Sequence, residues 1–154
     1  MDATPPPAPP SGAFHGPLHL FPIRVYYEDT DLSGMVYHAN YLRWFERARS
    51  DMLRLLGIDQ RSAAESGEGL YTVAELSIRF LAPARLDDAV TVVTDAAELG
   101  AASVRLRQRA LKGGDLLAEA FVRVGFISPD GRPRRQPAVW RAAFETLQPA
   151  KDPA

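Results

Sequence analysis

Cysteine is absent from the 154-residue chain, which excludes a disulfide framework, a thiolate zinc site and a cysteine nucleophile. An excess of basic charge is also missing, because 18 lysines and arginines are matched by 19 aspartates and glutamates. This balance argues against a nucleic-acid-binding protein. No apolar run approaches the roughly 18 residues of a transmembrane helix, and the N-terminus lacks the basic and apolar regions of a secretory signal. We therefore expect a cytoplasmic protein without a membrane span.

The N-terminal segment is rich in proline, with six prolines among the first 17 residues. Such a segment has little apolar surface to bury against the entropy lost on ordering. We therefore expect a disordered tail over residues 1–17, and we expect that residues 1–15 can be removed without loss of stability or activity. The rest of the chain has the composition of a single globular domain, which we place at residues 18–148.

The domain opens with a strand and a long helix. Alternating β-prone residues predict the first strand over 18–27. From His38 to Leu56 the apolar residues recur at spacings of three and four, which predicts an amphipathic helix. The apolar stripe of this helix is formed by Tyr41, Phe45, Ala48, Met52 and Leu55. A stripe this wide needs a sheet to cover it.

Four further β-prone runs follow the helix, and short turns are predicted between them. They are Tyr71–Leu81, Ala89–Glu98, Ala102–Leu111 and Leu116–Ile127. Glycine-containing turns at Leu99-Gly100 and Gly113-Gly114 indicate hairpins, and Val139–Leu147 is expected to form a short closing helix. The order predicts an α+β fold, in which one long helix packs against a curved, five-stranded antiparallel sheet ending in a four-strand meander.

The polar loop over residues 28–34 leads directly into the long helix. A helix N-terminus offers free backbone N–H groups and the positive end of a dipole, which favour an oxyanion. Asp31 lies seven residues before His38 and has the chemistry to attack an acyl carbon or to activate water. From these residues alone, Asp29 and Asp31 are equally suited to turns or helix caps, and His38 to a structural role. Calcium binding by Glu28 with the two aspartates is less favoured, because the spacing of an EF-hand is missing.

Residues 24–49 carry a specific resemblance. They read R-V-Y-Y-E-D-T-D-L-S-G-M-V-Y-H-A-N-Y-L-R-W-F-E-R-A-R and closely resemble the signature of the hydroxybenzoyl-CoA thioesterase family. The similarity is greatest to the acyl-CoA thioesterases associated with the Tol–Pal system, and a weaker pattern continues to about Phe126. The resemblance implies a hotdog fold, in which the sheet wraps the helix. It also implies homodimers or homotetramers with active sites between protomers.

The same resemblance implies roles for individual residues. Asp31 matches the catalytic carboxylate, which acts as nucleophile or general base. The backbone N–H that polarises the thioester carbonyl falls on His38, whose side chain also lies in the site. The other residues expected to contact substrate are Tyr37, Asn40, Gly34 and Val36. The acyl chain is expected to run along Trp44, Met35 and Val36, although Trp44 is equally suited to core packing. No metal or other cofactor is implied.

Acyl-CoA is the implied substrate, with acyl carrier protein as an alternative carrier. The candidates for binding its phosphates are Arg105, Arg107, Arg109, Arg132, Arg134 and Arg135. Two other interpretations remain open at this stage. A hotdog dehydratase is less favoured because its longer signature is missing. A non-catalytic acyl-CoA or acyl-carrier-protein binding module, linked to maintenance of the cell envelope, is less favoured because it gives no role to the carboxylate of Asp31.

Overall fold

The computed structural model describes residues 3–149, in which six strands and three α-helices are found. In chain order these are β1 (Ala13–His15), β2 (Leu18–Arg24), α1 (Asn40–Leu55), α2 (Gln60–Glu65), β3 (Leu70–Phe80), β4 (Ala89–Leu99), β5 (Ser103–Lys112), β6 (Asp115–Ile127) and α3 (Ala138–Glu145). None of these helices is long and apolar enough to cross a lipid bilayer. The long helix begins at Asn40 rather than at the predicted His38, because residues 38–39 form a turn before it.

The strands form one antiparallel sheet in the order β1-β2-β4-β5-β6-β3. The α+β fold with a wrapped central helix is confirmed, but the sheet has six strands rather than five. The predicted four-strand meander is also wrong, because only β4, β5 and β6 follow one another in the sheet. The connection over 81–88 contains Pro83 and is too long for a tight hairpin. It lets β3 pair with β6 and become an edge strand, while β4 pairs with β2.

The inner face of the sheet covers the apolar side of α1. Phe45, Ala48 and Met52 on α1 have no exposed surface. The side chains of β5 alternate between half-exposed and buried from Ser103 to Leu111, as expected for a sheet with one wet face. Burying a large apolar side chain contributes about 1.5 to 3 kcal/mol, so the contact between helix and sheet dominates the stability of the domain.

The N-terminal segment is attached to the domain, in contrast to the predicted tail. Oδ1 of Asp51, on α1, accepts a hydrogen bond from the hydroxyl of Ser11 at 2.7 Å. Oδ2 accepts one from the backbone N–H of Gly12 at 2.9 Å and lies 2.8 Å from Nε2 of His19. Asp51 and His19 are 5% and 0% exposed. The segment therefore satisfies a carboxylate that would otherwise be buried without enough donors.

Two backbone features extend this attachment. β1 pairs with β2, so that Ala13 lies opposite Leu20. A Cβ atom at Gly12 would lie 2.2 Å from the carbonyl oxygen of Leu20, and only glycine permits so close an approach. The prediction of disorder is therefore wrong for residues 11–17. Residues 3–10 lack regular structure and are exposed, and residues 1–2 of the predicted tail lie outside the described residues.

Removing residues 1–15 should therefore destabilise the protein, contrary to the expectation from composition. Loss of the Ser11 and Gly12 donors to a buried carboxylate should lower the free energy of unfolding by about 1 to 3 kcal/mol. Chemical denaturation measures this change. Removal of residues 1–8 is the matched control, because it leaves both donors in place and should have no effect. Equal stabilities of the two truncated proteins would show that the contacts to Asp51 are not important in solution.

Candidate active site

The loop between β2 and α1 is held together by Asp29, which is 8% exposed. Its carboxylate accepts a hydrogen bond from the backbone N–H of Tyr26 at 2.8 Å and another from Nδ2 of Asn40 at 2.7 Å. Its backbone oxygen accepts a third from the N–H of Tyr37 at 2.8 Å. These bonds connect the end of β2 to the first residue of α1. Asp29 therefore has the structural role that the sequence alone left open.

Asp31 has a different environment, although it lies only two residues further along. It is exposed, and its Oδ1 accepts hydrogen bonds from both the hydroxyl and the backbone N–H of Ser33. The hydroxyl bond most strongly, then the backbone bond, holds the pKa of Asp31 below its ordinary value, and nearby His38 adds a smaller effect. Its Oδ2 accepts no hydrogen bond from residues 3–149. An ionised carboxylate with a free oxygen is suited to act as a base or a nucleophile.

A tight turn sets the position of Asp31. The N–H of Gly34 donates to the carbonyl of Asp31, and the N–H of Asp31 donates to the carbonyl of Met35, both at 3.0 Å. Gly34 has a φ of +80°, a conformation that side-chain-bearing residues rarely adopt. The N–H of Val36 then donates to the carbonyl of Ala84 at 2.9 Å. The loop is thereby anchored to the connection between β3 and β4.

Free backbone N–H groups lie just before α1. Ala39 is the N-cap residue and makes no side-chain capping bond. The N–H of Asn40 donates to the carbonyl of Tyr37 at 2.9 Å, but within residues 3–149 the N–H groups of His38 and Ala39 have no acceptor. Unpaired N–H groups at the positive end of a helix dipole favour a bound negative charge. The segment therefore offers an oxyanion site close in the chain to Asp31.

His38 belongs to an aromatic group beside this helix start. The centroid of its ring lies 4.6 Å from that of Tyr37 and 6.1 Å from that of Phe80. Phe80 also lies 5.6 Å from Tyr41. Since Phe80 ends β3, the edge strand and the loop meet here. Phe80 was not among the predicted site residues, because the pairing of β3 with β6 decides its contact with His38.

The predicted site residues divide into two groups. Four are exposed on the loop surface, namely Asp31, Gly34, Tyr37 and His38. Val36 and Asn40 are buried instead, with Val36 in the core and Asn40 bonded to Asp29. Trp44, on the expected path of the acyl chain, is 2% exposed and packs in the core. Val36, Asn40 and Trp44 therefore support the loop from inside, and Trp44 also borders the groove between α1 and β2.

Several of the arginines expected to bind phosphate contact other groups of the protein instead. Three of the predicted arginines form ion pairs, Arg105 with Glu98, Arg107 with Asp95 and Arg132 with Asp130. Arg134 donates to the backbone carbonyl groups of Gly67 and Glu68. These contacts leave the four side chains less available to phosphate than the sequence suggested. Within the part of the chain that the structure describes, no three histidine or carboxylate side chains form a cluster able to hold a metal ion.

Asp31 lies outside the two concavities that separate α1 from the sheet. A groove of about 920 Å³ runs between α1 and β2, and a cavity of about 360 Å³ lies between α1 and β3. Asp31 lines neither of them. Small-molecule sites usually enclose most of their ligand. A single protomer therefore presents this carboxylate without the walls of a complete site.

Comparison with known proteins places these features in a family. The model of the thioesterase superfamily matches residues 33–119. The acyl-CoA thioesterase YbgC of Haemophilus influenzae is 39% identical over 129 residues, which cover 83% of this chain and 95% of that protein. A crystal structure of a probable thioesterase from Bartonella henselae is 39% identical, with a TM-score of 0.73, and the match covers 78% of this chain and 99% of that one. A 4-hydroxybenzoyl-CoA thioesterase, 23% identical with a TM-score of 0.73 over 86% of this chain and 99% of that one, shares the fold.

The contact between Ser33 and Asp31 makes a direct prediction about titration. Ser33→Ala removes the hydroxyl donor, so the pKa of the Asp31 carboxyl should rise toward its ordinary value, as measured by carbon-detected NMR. Ser62→Ala is the matched control, because Ser62 makes the same two contacts to Asp59 and lowers its pKa. Ser62→Ala should raise the pKa of Asp59 and leave that of Asp31 unchanged. An unchanged Asp31 pKa in Ser33→Ala would contradict this hydrogen bond.

Proposed function

The chain belongs to the thioesterase superfamily, and from that membership we propose that it hydrolyses acyl-CoA with Asp31 as its catalytic carboxylate. Water and the thioester give the free acid and the thiol, so the reaction balances without a cofactor. The observation that supports Asp31 is its exposed, ionised carboxylate close in the chain to the free N–H groups before α1. Asp29 is a poor alternative because its carboxylate is buried and bonded.

Asp31 acts in one of two ways. As a general base it takes a proton from water, and the resulting hydroxide attacks the acyl carbon. As a nucleophile it attacks that carbon itself and forms an anhydride, which water then hydrolyses. Both routes expel the thiolate, which is then protonated. Both need the ionised carboxylate, so activity is lost as the pH falls through the pKa of Asp31, which Ser33 holds below its ordinary value.

His38 contributes through two different groups. Its backbone N–H donates to the thioester oxygen and stabilises the negative charge that develops there. This donor does not depend on the side chain, as long as the turn before α1 keeps its geometry. The imidazole, next to the ring of Tyr37, orients the substrate or the attacking water. Asp31 and the N–H of His38 therefore supply the chemistry, and the two rings shape the surface around it.

Coenzyme A and acyl carrier protein present an acyl group as the same kind of thioester. CoA is the carrier in the name of the Haemophilus influenzae relative, and it is the substrate that we propose, in the cytoplasm. A carrier-protein thioester is a second substrate of the same chemistry. The loop with Asp31 is exposed, so it is open to either carrier.

We place the complete site in a homodimer formed through β3. This strand is at the edge of the sheet, and an uncovered edge invites pairing with another strand. Exposed apolar side chains lie on β3, on the connection after it and around the catalytic loop: Tyr37, Leu42, Val73, Phe80, Leu81 and Leu86. A second copy related by a two-fold axis would cover them and provide the walls that Asp31 lacks in one protomer. Pairing of two such dimers would give a homotetramer.

The roles of Asp31 and His38 predict an order of effects on catalysis. Asp31→Asn should keep the fold and lower kcat by about 10² to 10⁴. His38→Ala should cost less, because it retains the backbone donor, and loss of such a donor would cost about 10² to 10³. Release of free thiol from acyl-CoA, followed with a thiol reagent, gives kcat. Asp59→Asn is a suitable control, because Asp59 also accepts two hydrogen bonds from a serine but caps the distant helix α2.

Two results would contradict this assignment. Near-wild-type turnover by folded Asp31→Asn protein would remove Asp31 from the chemistry. A larger loss of kcat in His38→Ala than in Asp31→Asn, with equal melting temperatures, would make the imidazole the principal catalytic group. A protein that releases no thiol from any acyl-CoA would instead be a binding module.

The dimer through β3 predicts the effect of a charge on that strand. Val73 is 48% exposed in the protomer, so Val73→Asp should leave the protomer folded but place two carboxylates in the interface. Light scattering should show a monomer, and activity should fall because the site is incomplete. Val139→Asp changes another exposed valine, on α3, and should remain a dimer. A Val73→Asp protein with unchanged mass would exclude this interface.

A further inference from the structure

Gln108 is a polar residue in the middle of the hydrophobic core. It lies on the inner face of β5 with no exposed surface. Its Nε2 donates to the backbone oxygen of Phe45 at 3.0 Å and to Oγ1 of Thr94 at 3.1 Å. Because both of these acceptors contact Nε2, the nitrogen and the oxygen of the side-chain amide cannot be exchanged. Its Oε1 is therefore directed to a single remaining partner.

That partner is the guanidinium of Arg49, on α1. Nη1 of Arg49 donates to Oε1 of Gln108 at 2.8 Å. Arg49 thus holds one position, at the end of a polar chain that begins at Thr94 and passes through the core. A half-buried arginine side chain usually loses much rotational freedom for such a contact, and here the loss has already occurred in the free protein. The cation is preorganised for a ligand.

The charge of Arg49 has no counterion within the described residues. Six other arginines form ion pairs with carboxylates, and Arg49 forms none. Glu46, one turn before it on α1, makes no ion pair with it, although its negative charge acts on the guanidinium. Burial lowers the pKa of the Arg49 guanidinium, and the nearby negative charge of Glu46 opposes this effect only in part. A half-buried cation that forms no ion pair is a candidate for binding an anionic ligand.

Arg49 lines the cavity between α1 and β3. This cavity has a volume of about 360 Å³, and apolar side chains form much of its lining, including Met52, Leu53, Leu106 and Val124, while Glu46, Ser50 and Gln60 also border it. A partly apolar cavity with a cation held in place by Gln108 suits a ligand with a hydrocarbon body and an anionic end. The volume is within the range of small-molecule sites, which is about 300 to 1,000 Å³.

The proposed dimer places this cavity near the catalytic loop. The cavity is bounded by Tyr71–Val73, at the beginning of β3. The loop with Asp31 contacts the other end of β3, where Phe80 lies beside His38. When two copies of β3 pair in antiparallel fashion, the end of one lies beside the beginning of the other. In that dimer, the part of β3 that borders the cavity of one protomer lies next to the catalytic loop of its partner.

We propose that the cavity between α1 and β3 receives the far end of the acyl group and that Arg49 binds a carboxylate there. The preferred substrates are then half-thioesters of dicarboxylic acids with CoA. The inference rests on the proposed thioesterase function, and it names the acyl class within it. It also accounts for the burial of Trp44, because the acyl chain follows the opposite side of α1.

The test is a ratio of specificities for two thioesters of equal chain length. In the wild type, kcat/KM for adipyl-CoA should exceed that for hexanoyl-CoA by about tenfold or more. Arg49→Met should remove this preference, and Arg49→Lys should retain part of it. Both substrates are measured on one preparation, so a loss of folded protein cancels in the ratio. Arg47→Met is the matched control, because Arg47 lies on the same helix but lines the groove on the β2 side, and its ratio should be unchanged.

Binding of free adipate, measured by calorimetry, separates this inference from the proposed function. Adipate should bind to the wild type and to Arg47→Met, and binding should be lost in Arg49→Met. If no acyl-CoA is hydrolysed, the proposed function fails, and calorimetry alone then decides whether Arg49 forms a carboxylate site. A wild type without preference for adipyl-CoA, a ratio unaffected by Arg49→Met, or no adipate binding would each overturn the inference.

Discussion

The apolar side of α1 must be kept from water, and the sheet achieves this only by curving around the helix. Phe45, Ala48 and Met52 have no exposed surface, and together they contribute several kcal/mol of burial, at about 1.5 kcal/mol or more for each large side chain. The strands that cover them have to be ordered so that the inner face is continuous. This requirement brings the start of α1, the loop before it and the end of β3 to the same end of the sheet.

At that end, one short loop holds two aspartates in opposite environments. Asp29 is buried and accepts bonds from Tyr26 and Asn40, so its charge stabilises the loop. Asp31 is exposed, with one oxygen held by Ser33 and the other without a partner. Because the bonds of Asp29 hold the loop in place, Asp31 can stand on the same loop with one carboxylate oxygen unbonded. A similar division occurs on α1, where Asp51 is satisfied by the N-terminal segment and Arg49 lacks a counterion.

Most of the regular structure follows from local patterns. The alternation of β5 and the three-and-four spacing of α1 are properties of a few adjacent residues, so their existence and faces could be predicted. β1 could not be predicted, because residues 13–15 become a strand only beside β2. The contact of Ser11 with Asp51 spans 40 residues, and no local pattern reports it. Composition favoured disorder there because it counts apolar surface and ignores a distant carboxylate in need of donors.

The sequence by itself determined the family, the long helix, five of the strands and the loop residues of the candidate site, since each depends on neighbouring residues or on a contiguous motif. From the residues alone it identified both Asp29 and Asp31, and the family resemblance pointed to Asp31 as the catalytic carboxylate. The tertiary structure added that Asp29 is buried and Asp31 exposed, because burial and hydrogen bonds depend on which distant groups surround a carboxylate. It likewise decided that β3 is an edge strand and that Gln108 orients Arg49, because strand order and contacts between β5 and α1 arise only when the whole chain packs.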